Sequence, residues 1–114
     1  MNDTVTNVLE GNIIETQNHG QIKLALVVTP QQDEDGYQEA KDFTTENCLN
    51  KNVLIDQDGG QPVDSSGRKI AVVYCDGWNM NEELYYAGYA EIDLQQCGQS
   101  RFAGEQWAID GGCE

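Results

Sequence analysis

The side chains of this chain best equipped for chemistry are carboxylates. Asp33-Glu34-Asp35 follows closely on Pro30, Asp56 and Asp58 border a glycine-rich stretch, and Asp64 opens the segment Asp64-Ser-Ser-Gly-Arg68. Oxygens at that density are hard ligands for a divalent cation, or they form a solvated acidic face. The solvated face is the expectation for Asp33 to Asp35, with a weak displaced divalent site as the alternative. The 20 acidic residues against 6 basic ones leave a formal charge of -14. Affinity for nucleic acid comes largely from Lys and Arg neutralising phosphates, so this balance disfavours a polyanionic ligand. It serves solubility, or it suits a cation or a basic protein partner.

Sulfur and imidazole are sparse by comparison. Cys48, Cys75, Cys97 and Cys113 contain no C-x-x-C pair and lie far in sequence from the lone His19, which argues against zinc. Four cysteines allow two disulfides in three pairings, and buried free thiols are equally ordinary. Were disulfides to form, a secreted or extracytoplasmic location would follow, and a bridge at Cys113 would tie down the C-terminus. No apolar run approaches the ~18 residues of a membrane span, and no signal-like start is visible. We expect a single soluble, monomeric domain over residues 1–114. Met1 leads into what reads as the middle of a hairpin, so the N-terminal strand is expected to be truncated.

The elements that must position these groups are organised around Gln21 to Gln31. This apolar, β-branched run halts at Pro30, which fixes φ and lacks a ladder donor, so it reads as a buried strand delivering a loop to the surface. Before it come strands near Asp3–Leu9 and Gly11–Glu15 and a turn at Asn18-His19-Gly20, with the third strand from Gln21 to Val28. Tyr37 to Asn50 has helical spacing, with Tyr37, Ala40, Phe43, Thr44 and Cys48 on one stripe. Strands at Asn52–Asp56 and Lys69–Cys75 flank a polar loop, and Asp76-Gly77 is a hairpin signal. A short helix over Asn81–Ala87, capped by Asn79 or Asn81, ends at Gly88, and a final helix is expected from Ser100 to Ile109. The aromatic residues Trp78, Tyr85, Tyr86 and Tyr89 read as core and hairpin packing.

Taken with Lys23-Leu-Ala-Leu-Val-Val28-Thr29-Pro30-Gln31, the stretches Asp64 to Arg68, Ala71 to Gly77 and Asn81 to Ala90 give a chain that resembles the staphylococcal-nuclease-like (thermonuclease) family. The resemblance implies a mainly β fold, a five-stranded OB-fold barrel with three helices. It also implies a site in which two aspartates and a backbone carbonyl hold Ca²⁺, a glutamate activates water, and two arginines grip the phosphate. Carried over residue by residue, the first metal aspartate falls on Asp3 of Asn-Asp-Thr-Val, where the family has Gly-Asp-Thr-Val. The second falls on Val28 beside Thr29, the glutamate on Gln31, and the arginines on Lys23 and Arg68.

Each replacement weakens the chemistry. Val28 offers no side-chain oxygen, so Ca²⁺ binding is expected to be weak or absent. Gln31 holds a water but does not take its proton, and Lys23 lacks the planar fork that binds phosphate bidentately. Leu94, Gln96, Ser65 and Ser66 stand where the family places groove tyrosines and a lysine. The expectation is a degenerate site in a binding or structural module of a longer protein, with an unidentified protein partner. The alternative is a weak Ca²⁺-dependent nuclease using Asp3, Thr29, Arg68, Lys23 and Gln31. Arg68 is itself expected to pair with a mouth carboxylate such as Asp3, or else to keep phosphate binding.

Overall fold

The computed structural model describes residues 1–114. Strand β1 (Asn2–Glu10) turns Asp3, Val5 and Val8 inward, and two register shifts along its pairing with β2 (Ile13–Thr16) bend it. Bulges of that kind raise local twist, which lets one strand serve two sides of a closed sheet. β2 pairs antiparallel with β3 (Gly20–Leu24), while the start of β1 pairs with β5 (Asn52–Gln57). β5 pairs antiparallel with β6 (Lys69–Cys75), and β6 returns parallel to β3 through Ile22↔Lys69 to Leu24↔Ala71. That last pairing closes a barrel of five strands in the order β3-β2-β1-β5-β6. Val5, Ile14, Ile22, Leu24, Val53, Ile55 and Val73 fill its interior.

The expected third strand does not run unbroken to Val28. After Leu24 the chain turns at Ala25-Leu26, with Leu26 at φ 68, and resumes as a two-residue strand β4 (Val27–Val28). Side-chain and main-chain partners from elsewhere take up this turn. Leu26 N donates to Gln96 Oε1 and Ala25 N to Ala71 O, while Asn81 Nδ2 donates to Ala25 O at 2.8 Å. Asn81, buried on α2 (Met80–Tyr86), also donates to Ala71 O and accepts from Val73 N. One amide thereby joins β6, the β3–β4 turn and α2.

Helix α1 (Tyr37–Cys48) buries Ala40, Thr44 and Cys48, four residues apart, against β1. It comes so near the β1–β2 corner that a Cβ on Gly11 would lie 2.9 Å from Ala40 Cβ and 3.0 Å from Thr29 Cγ2. Only glycine fits there, and Thr44 Oγ1 fastens the approach by donating to Gly11 O at 2.6 Å. Asp76 and Gly77, at φ 52 and 81, make the two-residue turn into β7 (Trp78–Asn79). Asn79 is the cap of α2, accepting from Glu82 N at 3.0 Å, and Gly88 follows its end at φ 87.

The C-terminal region departs most from expectation. β8 (Glu91–Ile92) pairs antiparallel with β4, a 3-10 turn follows at Leu94–Gln96, and α3 occupies only Gln106–Asp110. Ser100 to Glu105 is not helical because Ser100 Oγ and Arg101 N both donate to the buried carboxylate of Asp58. Gly60 N and Gln61 Nε2 complete the donors around that group. Tyr85 and Tyr89 pack on the core as expected, but Trp78 at 62% and Tyr86 at 53% stand in solvent. The cysteines pair as Cys48–Cys75 and Cys97–Cys113. Loops of 27 and 16 residues are closed in this way, each lowering unfolded-chain entropy by an equivalent of about 3 kcal/mol. No helix is long and apolar enough to cross a membrane.

Candidate functional site at the barrel mouth

β4 delivers Val28 and Thr29 to the mouth of the barrel, beside the β1–β2 corner. Thr29 is buried, and its hydroxyl donates to Asn12 Oδ1 at 3.1 Å. Asn12 Nδ2 in turn donates to Val27 O at 3.1 Å, so both ends of the buried amide are engaged. Val28 is 39% exposed and registers against Glu91 of β8. Gln31 is exposed, with its backbone N–H donating to Glu34 Oε1 at 2.6 Å. The acidic loop thus uses one of its own carboxylates to hold its backbone.

Lys23, on β3, borders a polar cleft with Asp64, Gln61, Asp93 and Gln96. Arg68 Nε donates to Asp64 Oδ2 at 2.8 Å, while Asp64 Oδ1 accepts from Arg68 N and Ser66 N. Its partial burial would raise the Asp64 pKa, but the arginine and these N–H groups outweigh that and hold it below the usual carboxylate range. Arg68 therefore pairs with Asp64, four residues before it in the same loop, and not with Asp3.

Asp3 is placed elsewhere. It lies at the opposite end of β1 from the corner, seven residues before Glu10, which at ~3.3 Å per residue is about 20 Å. Its side chain is fully enclosed at the β2–β3 turn, accepting from Thr4 N at 2.7 Å and Asn18 N at 3.0 Å. His19 Nδ1 lies 2.6 Å from Asp3 Oδ2. Burial alone would raise the Asp3 pKa; the imidazole and the backbone N–H groups reverse this and hold it far below its ordinary value. The residue that does meet Thr29 is Asn12, within Gly11-Asn12-Ile13-Ile14. A glycine followed by a short polar residue and β-branched residues is the same kind of pattern as Gly-Asp-Thr-Val. The better letter-for-letter match at Asn2 to Val5 concealed it.

The residues present do not fit a tightly bound Ca²⁺ at this mouth. That ion takes six to eight oxygens, several of them from carboxylates. The two positions that meet here carry an amide already hydrogen-bonded at both ends and a valine. Carboxylates do line the adjoining cleft of about 420 Å³, namely Glu34, Asp35 and Glu91. No three Asp, Glu, His or Cys side chains converge closely enough to share one ion.

A barrel closed by a parallel β3–β6 pairing, with a helix packed on β1 and a mouth built from β4 and the β1–β2 corner, defines the OB class to which thermonuclease-like domains belong. Residues 21–103 match the family described as staphylococcal nuclease homologue, and the chain belongs to that family. An uncharacterized protein of Bacillus anthracis is 30% identical to it over 97 residues, an overlap covering 77% of this chain. The chain spans 45% of that relative's length.

Proposed function

We propose that this domain is a degenerate member of the family, a non-catalytic binding or structural module within a longer protein. The observation that carries this reading is the pairing of Asn12 with Thr29 beside Val28. Where the family needs two carboxylates facing a cation, this chain has an amide committed to Thr29 and Val27 and a methyl-bearing side chain. Gln31 supplies no base, and Lys23 supplies charge without a bidentate fork. Loss of one preorganised group typically lowers a rate ~10²–10³-fold, and several are replaced together. The match to less than half of a relative's length supports membership in a longer chain. The two disulfides favour an oxidising compartment.

Hydrolysis of single-stranded DNA and RNA, with Ca²⁺ and with EDTA, tests this. The expected outcome is no cleavage above an Arg68→Ala control. Ca²⁺-dependent cleavage that disappears in Arg68→Ala would overturn the proposal in favour of a weak phosphodiesterase working through Arg68 and Lys23.

A further inference from the structure

The cleft beside Val28 combines three features that a solvated acidic loop alone would not. It is concave, with about 420 Å³ between the loop that leads from β4 into α1 and the turn from Gly88 to Glu91. Val28, Pro30 and Ala90 give it an apolar portion beside Tyr89, and Val28, at the end of β4, leaves 39% of its surface in water. Glu34, Asp35 and Glu91 supply its charge, and no Lys or Arg lines it. A second depression, of about 480 Å³, shares Glu34 and Asp35 with the first and adds Tyr37 and Glu39. The two depressions adjoin at Glu34 and Asp35, with Tyr89 lining the first and Tyr37 the second.

Resting on the reading of the domain as a binding module, we infer that this double cleft receives a basic protein segment. A lysine or arginine side chain lies along Val28 and Tyr89 with its cationic end between Asp35 and Glu91. Long cationic side chains bury their stems on apolar surface and keep the head among charges, which is the combination found here. The side chain's head also gains from an aromatic face within ~6 Å. The molecule's charge of -14 draws such a segment in over a longer range, with an association that weakens as salt rises.

The test is a titration of a fluorescein-labelled decapeptide, four lysines spaced by glycine and serine, into the intact domain at low and at physiological salt. Asp35→Asn/Glu91→Gln removes two charges from the cleft, while Glu46→Gln/Glu105→Gln removes two exposed charges outside it. The cleft pair is expected to weaken binding about fivefold and the distant pair under about twofold. Val28→Ser, which leaves the charge unchanged, should cost about threefold. Equal losses from both charge pairs, with Val28→Ser silent, would overturn the inference and leave a diffuse acidic surface. So would the absence of saturable binding, or displacement of the peptide by equimolar spermine or by 1 mM Ca²⁺. Melting temperatures of each variant separate loss of binding from loss of folding. Failure here leaves the nuclease assay untouched, whereas Ca²⁺-dependent cleavage would sink the module reading whatever the peptide does.

Discussion

Replacing Asn81 with leucine tests whether one buried amide holds the halves of the barrel together. The substitution keeps nearly the same volume and removes three hydrogen bonds: to Ala25 O, to Ala71 O and from Val73 N. Ala71 O keeps the N–H of Ala25, so the groups deprived are Ala25 O and Val73 N. Each buried polar group left without its partner costs about 1–3 kcal/mol. The sum is about 3 to 4 kcal/mol from a total stability on the order of 10 kcal/mol. At about 4 °C per kcal/mol for a domain of this size, the melting temperature should fall by about 15 °C. Urea denaturation followed through tryptophan emission is a direct assay, because Trp107 is buried and changes environment on unfolding. The disulfides must be intact in both proteins and the denaturant slope unchanged. A loss below about 1 kcal/mol would refute the reasoning, since it would mean that water replaces the amide at no cost.

Two further outcomes follow from the polar groups at either end of β1. Because the folded pKa of Asp3 lies below its unfolded value, its stabilisation is complete above the unfolded value near ~3.9 and disappears as pH falls through the folded one. The intact protein should therefore lose urea resistance below about pH 4. Asp3→Asn should cost about 2 kcal/mol at pH 7 and show a flatter acid limb; parallel curves for the two proteins would exclude the linkage. At the other end, Asn12→Asp/Val28→Asp should place two carboxylates at the mouth and so give a Ca²⁺ response stronger than that of the native chain. With a dissociation constant of ~1 mM, 10 mM Ca²⁺ would raise the melting temperature of that double variant by about 5 °C. Val28→Asp alone should gain nothing, and a full response from the single variant would restore Asp3 as the first metal position.

The barrel was legible where a strand carries its own signal. Lys69 to Cys75, bounded by Gly67 and by Asp76-Gly77, reads as the strand that forms. The α1 stripe is also correct, since Ala40, Thr44 and Cys48 are the residues it buries. Reading failed where distant partners decide. Leu26 adopts positive φ because the groups around it bond to Gln96, Ala71 and Asn81, all more than 40 residues away in sequence. Helical residues were expected from Ser100 onward, but Asp58 claims Ser100 and Arg101 from 42 and 43 residues upstream. Lys23 stands on β3, Thr29 just after β4 and Arg68 just before β6, whereas Asp3 stands at the far end of β1 from the Gly11-Asn12 corner. Its local match ignored hairpin length, and the strand pairing puts the Gly11-Asn12 corner in its stead.

The two disulfides divide the chain unequally. Both lie beyond residue 47, as the non-overlapping loops Cys48–Cys75 and Cys97–Cys113, so β1 to β4 and nearly all of α1 carry no cross-link. A force applied through the C-terminus meets a covalent clasp almost at once, and its loop of 16 residues adds nothing to the extended length. The same force applied through the N-terminus peels β1 from β2 and β5 and unravels strand after strand before reaching Cys48. Stretched between its two ends, the domain would open from the N-terminal side first, and it would never lengthen by the 27 and 16 residues held inside its disulfides.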